Sequence, residues 1–207
     1  MSILVLTSDT LVASPSAGSI EYSSPILAAT TQGTQRGIVP NQQYYRLDSG
    51  LAGANVTTAQ NIYGVGVTLS ASTVYEFEVI FTIVKTAGTT SHTIGVGFGG
   101  TATINNFFAN GFFNIASNST FGTGSGPQSI VMTSVSNLVL TGAITSAAEY
   151  LMSTLKGTVS INAGGTFIPQ YTLSAAPGGA YTTAAGSYIR IAPIGASGAN
   201  TNVGTWA

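Results

Sequence analysis

Glu76 and Glu78 are the one closely spaced pair among the six acidic residues of this 207-residue chain. Side chains alternate along an extended strand, so both acids fall on one face, about 7 Å apart at Cα. That separation overlaps the one at which glycosidases set an acid against a nucleophile or base. A hydrolase built on the pair would also need a groove with aromatic and polar partners. The plainer expectation is a charged strand face on which the acids meet Lys85, Lys156 or Arg190. Glu76, Glu78, Lys156 and Arg190 are therefore read as interface charges, and no catalytic residue is assigned.

His92 is the only histidine, in Thr89-Thr90-Ser91-His92-Thr93. A catalytic triad needs a nucleophile, a base and an orienting acid brought together in space. Serines are so abundant that Ser91 has no special claim, and His92 is expected to be a turn or strand residue with a satisfied hydrogen bond. One histidine, no cysteine and scattered acids do not make a metal site, and no metal or other cofactor is expected. Gly95-Val96-Gly97-Phe98-Gly99-Gly100 matches GxGxxG to the letter. The motif binds a dinucleotide only where a helix opens behind it and an acid follows about 20 residues on. Here Thr101 to Phe108 is no helix start and the next acid is Glu149, so these glycines are expected to mark a bulge or a close backbone approach.

The elements that must position these residues read as strands. Tyr75, Phe77, Val79, Phe81 and Ile83 share one face, with Glu76, Glu78 and Thr82 on the other. Further strands are expected at Gln42–Leu47, Ile62–Leu69, Thr93–Phe98, Ile130–Val135, Leu138–Leu140, Leu155–Ile161, Phe167–Leu173 and Ser187–Ile191, with Gly, Pro, Asn and Ser between most of them. Ser146 to Met152 has room for one helical turn. The fold class expected is all-β, an antiparallel β-sandwich or jelly-roll-like domain over residues 39–207 with an extended N-terminal arm over residues 1–38. Pro15, Gly18 and Pro25 interrupt the arm, while Ile3, Val5, Leu11, Ile20, Tyr22 and Ile26 keep it apolar enough to dock on a neighbour. Asn110-Gly111 suits a tight hairpin. Phe107, Phe108, Phe112 and Phe113 around it are expected either to feed the core from that hairpin or to form a trimer or partner contact, and Ser117 to Ser129 a surface loop.

Composition narrows the function classes. Charged residues are 5% of the chain, against about 25% in an ordinary soluble domain. With a formal net charge of −1 there is no basic face for nucleic acid. The absence of cysteine removes disulfides and thiol catalysis. No apolar run is long enough for a membrane span, and the start lacks the basic region of a signal peptide, so neither membrane insertion nor export by its own signal is expected. Low charge also lowers the electrostatic resistance to self-association.

Several stretches resemble one family, the C-terminal β-rich domain of tailed-bacteriophage virion proteins found on tail fibres and small head-decorating proteins. They are Ala17-Gly18-Ser19-Ile20-Glu21-Tyr22, Arg36-Gly37-Ile38-Val39-Pro40, Val74-Tyr75-Glu76-Phe77-Glu78, Lys85 to Thr93, Gly97 to Thr103, Lys156-Gly157-Thr158-Val159, Gly186 to Ile191 and the closing Trp206. The resemblance implies a homotrimeric virion protein without a catalytic motif. Its expected partners are itself and either the major capsid protein or tail and baseplate proteins. A capsid decoration or cement role is the first expectation. The alternative is a short tail fibre or receptor-binding tip contacting host surface glycan through the loops around Asn105–Phe113 and Ser117–Ser129. In longer relatives the Ala17–Tyr22 segment follows a shaft; here about sixteen residues precede it, and no shaft is expected.

Overall fold

The computed structural model describes residues 4–117 and 126–206, which contain sixteen strands and no helix. Ile3 and residues 118–125 of the expected surface loop lie outside the described residues. The strands are β1 (Ile20–Ser23), β2 (Ile26–Gln32), β3 (Gln35–Val39), β4 (Gln43–Arg46), β5 (Leu51–Ala52), β6 (Gln60–Asn61), β7 (Val67–Leu69), β8 (Thr73–Lys85), β9 (Ile94–Gly99), β10 (Thr103–Ala116), β11 (Gln128–Met132), β12 (Leu138–Val139), β13 (Glu149–Ala163), β14 (Gly165–Leu173), β15 (Thr182–Thr183) and β16 (Tyr188–Ala196). All pair antiparallel, in three sheets.

The large sheet runs β11-β10-β13-β8, after which the free edge of β8 is shared between β16, which carries β4, and β15, which carries β5. Facing it is a smaller sheet, β12-β9-β14, with β6 and β7 along the far side of β14. The apolar faces meet as a sandwich. Its centre is four phenylalanines, Phe77 and Phe107 from the large sheet against Phe98 and Phe167 from the small one. Phe98 and Phe167 stack at 4.8 Å between centroids, and Phe77 meets Phe98 edge-on at 5.4 Å. Each such pair contributes about 0.5–1.5 kcal/mol beyond simple burial.

The alternation expected in β8 is present: Tyr75, Phe77, Val79, Phe81 and Ile83 are all buried. Three expectations differ. Asn110-Gly111 is not a hairpin but the middle of β10, with Gly111 opposite Leu155 of β13. A Cβ on Gly111 would overlap the carbonyl oxygen of Thr154, and one on Gly157 that of Phe108. These glycines therefore permit a close approach of two long strands, which a turn signal read locally does not reveal. Residues 149–152, offered as part of a helical turn, begin β13, because pairing with both β8 and β10 outweighs a weak local preference. Of Ile62–Leu69 only Val67–Leu69 is strand (β7); the chain turns around Gly64, whose φ is +72°, and β6 ends at Asn61, before the expected start.

The expected arm is also more structured than its Pro and Gly content suggested. Residues 20–39 form a three-stranded meander, β1-β2-β3, and strand is absent only from residues 4–19. Ile26, Ala28 and Thr30 alternate as the buried face of β2.

Candidate functional site: the outer face of the large sheet

The side of the large sheet turned away from the sandwich core gathers the four expected interface charges and two of the four phenylalanines. Register across five pairings aligns one row of side chains on this face: Val131 (β11), Asn110 (β10), Lys156 (β13), Glu78 (β8), Arg190 (β16) and Tyr44 (β4). One neighbouring row runs Phe112, Thr154, Ile80 and Tyr188, the other Phe108, Thr158, Glu76 and Ala192. Phe108 and Phe112 are each 43% exposed, and Tyr44 stacks on Tyr188 at 5.3 Å.

Glu78 is the ionic centre of the face. Lys156 Nζ lies 3.1 Å from its Oε1, and the Arg190 guanidinium contacts Oε2. The carboxylate is nearly covered, with 8% of the side chain exposed, whereas Lys156 and Arg190 keep 60% and 46%. Removing Glu78 would leave two solvated cations, which is cheap; removing a cation would strand a desolvated carboxylate, which is not. Each oxygen of Glu78 lies against a cation, though Oε2 has no aligned hydrogen bond, while Glu76 is exposed, so the two carboxylates differ in environment although they share a strand face. Around them lies a shallow groove of about 390 Å³, with Phe108, Asn110, Thr158 and Gln42 on its walls.

The expected interface charges Glu76, Glu78, Lys156 and Arg190 are thus brought together. The expected aromatic contact is not brought together as a set. Phe107 and Phe113 are 5% and 4% exposed and feed the core, because odd residues of β10 face inward; only Phe108 and Phe112 are presented outward. Lys85, grouped with the outer charges, belongs elsewhere. It continues the odd-numbered inner face of β8 and is fully buried.

At that end of the sandwich lies a cluster of buried polar groups which sequence reasoning did not assemble. The Lys85 ammonium donates to the carbonyls of Gly88 (2.7 Å) and Ser146 (2.6 Å), and Glu149 is its cross-strand neighbour. His92 lies 2.8 Å from the Thr90 carbonyl through Nδ1 and 2.7 Å from the Tyr181 hydroxyl through Nε2. A carbonyl only accepts, so Nδ1 carries the proton and the Tyr181 hydroxyl donates to Nε2. The satisfied histidine expected from the sequence is what the fold holds. Burial pushes the Glu149 carboxyl up to about 6, against the pull of Lys85. It holds Lys85 below its ordinary value and His92 likewise, the latter with repulsion from Lys85 added. The signal for Lys85 was its parity with Tyr75; nothing local pointed to Glu149 or Tyr181.

The GxGxxG run lies in and just after β9, with no helix behind it. The segment around Asn137 covers Gly95 and Gly97 so closely that a side chain at Gly95 would overlap Asn137. Phe98 N donates to Val135 O there, at 2.8 Å. This is the close backbone approach expected of these glycines.

In the meander, Glu21 and Arg36 form a two-bond pair, Nε to Oε2 at 2.8 Å and Nη2 to Oε1 at 3.1 Å. The same pair grips the backbone of Val12: its N–H donates to Glu21 Oε1 and its carbonyl accepts from Arg36. The guanidinium hydrogen bond holds the Glu21 carboxyl below its usual range. Of the expected docking residues, Val5 and Ile20 are exposed, Leu11 and Tyr22 half-buried, and Ile26 already covered within the fold. No family model matches the chain, and comparisons with curated proteins and with solved structures find no match either.

Proposed function

We propose that this chain is a structural protein of a tailed-phage virion, a homotrimeric decoration or cement protein on the capsid. The observation that carries the reading is the Glu21–Arg36 pair. Glu21 belongs to the Ala17–Tyr22 segment and Arg36 to the Arg36–Pro40 segment, two of the stretches that resemble virion proteins, and together they fix the backbone at Val12. Residues alike in type thus act as one device, a clasp that roots the N-terminal segment on the β1-β2-β3 meander. The outer sheet face supports the same reading. Its flat mosaic of aromatic, hydroxyl and mutually neutralised ionic groups suits contact with another copy or a capsid neighbour, where unpaired charge would be costly to bury.

A second reading, a short tail fibre or receptor-binding tip, is favoured by the groove beside Phe108. An aromatic face with amide, hydroxyl and carboxylate groups around it is the chemistry that holds a sugar ring. Copies of the protein per virion, measured by mass spectrometry against the major capsid protein, separate the readings. A ratio near one supports the cement role. A ratio of a few per cent favours the fibre tip, and absence from virions removes both.

A further inference from the structure

Two parts of the fold keep unused bonding capacity, and they match. One is the tip of the N-terminal segment. Its base is tied down: Asp9 N donates to Tyr22 O at 3.0 Å, Ser24 N to Ser8 Oγ at 2.8 Å, and Val12 sits in the Glu21–Arg36 clasp. Beyond this anchor Leu4, Val5 and Leu6 are 84%, 78% and 38% exposed. The other is the mouth of the sandwich between β4 and β7. Among the described residues β4 pairs only with β16 and β7 only with β14, so each offers an unpaired backbone edge. Between them opens a slot of about 320 Å³ lined by Tyr45, Val65, Val67, Pro169, Ile189 and Ile191, with no charged side chain on its walls.

We infer that Leu4–Leu6 of one copy adds as a strand along β4 of a second copy, with Leu4 and Leu6 entering the slot and Val5 facing out. An added strand hydrogen-bonds through its backbone and places alternate side chains in a pocket, which is what a free edge beside an apolar slot accepts. Three residues span about 10 Å and the four of β4 about 13 Å, so the lengths agree. The occupant is a second copy because the exposure of Leu4 and Val5 shows that the chain's own tip is not seated in a slot. The inference rests on the premise of the preceding reading that copies of the chain meet, and it names where they do so.

The chain has no cysteine, so a disulfide can report the contact. Leu4→Cys and Val65→Cys chains, purified separately, are mixed and oxidised. A covalent heterodimer is expected, at least tenfold above the yield of Leu4→Cys with Val139→Cys, a control on the exposed β12. Yield no higher than this control overturns the inference, as does a link formed only within the double variant of one chain. As a second measurement, Leu4→Asp with Leu6→Asp, both at exposed positions, should weaken self-association at least tenfold by light scattering; unchanged association also overturns it. The virion reading fails separately. A cross-linking protein absent from virions would lose that reading and keep the contact, whereas an abundant virion protein without the cross-link would do the reverse.

Discussion

Two charged clusters lie on opposite faces of the same two strands, and they are built on opposite principles. On the outer face Glu78 is covered while its partners Lys156 and Arg190 remain solvated. At the end of the inner face Lys85, His92 and Glu149 are all buried, and backbone carbonyls and a tyrosine hydroxyl do most of the satisfying. The first arrangement leaves charge at the surface for another molecule to meet. The second spends its charge inside the fold, where desolvation has to be offset by hydrogen bonds. Charge parity along β8 thus separates a face that can recognise something from an end that holds loops in place.

Lys85→Met is the change that breaks the comparison hardest. It leaves the buried Gly88 and Ser146 carbonyls without their donor, and at about 1–3 kcal/mol for each stranded acceptor a loss of about 2–6 kcal/mol is expected in urea unfolding. A loss under about 1 kcal/mol would mean that the buried end is wet.

The pH profile sharpens the difference next. Glu149 titrates higher in the fold than unfolded, so its contribution is fully present below about pH 4.5 and lost as pH rises through about 6. His92 titrates lower than its ordinary 6.5, so its contribution is present above that value and lost as pH falls. The two oppose each other between pH 5 and 7. Thermal melts of His92→Gln should rise in Tm on acidification across that window, and those of Glu149→Gln should fall. Parallel slopes in the two variants would contradict the assignment.

Arg190→Met should cost roughly 1–3 kcal/mol, because it strands the covered Glu78 oxygen. Glu78→Gln should cost less than about 1 kcal/mol, because the two cations it leaves are solvated. An equal cost for the two variants would show that coverage of Glu78 has no energetic weight. The smallest effect is the influence of salt. Raising it to 1 M should shrink the cost of Glu78→Gln and leave that of Lys85→Met nearly unchanged, since screening acts on solvated charge.

Much of this was legible along the chain. The alternation from Tyr75 to Ile83 placed β8 and put Glu76 and Glu78 on one outer face, and glycine-rich β9 was read as a bulge or a close approach, of which the fold holds the second. The same parity, carried two residues further, would have put Lys85 inside. Asn110-Gly111 misled because a turn preference is local, whereas the reason for Gly111 is the Thr154 carbonyl more than forty residues away. The meander was missed for a similar reason. Its strands are short and interrupted by proline and glycine, and the pair that completes it joins Glu21 to Arg36 across fifteen positions.

By itself the sequence determined the class: period-two apolar patterning with turn residues between the runs points to sheets, and sparse charge to a surface of hydroxyls and amides or one hidden in an assembly. Which charges meet was decided only by tertiary structure, since register between strands distant in sequence sets Lys156 and Arg190 on either side of Glu78 and Glu149 beside Lys85. Patterning is a property of each strand alone. Pairing depends on how every strand lies against its neighbours, and a slip of one residue would send each of these charges to the other face.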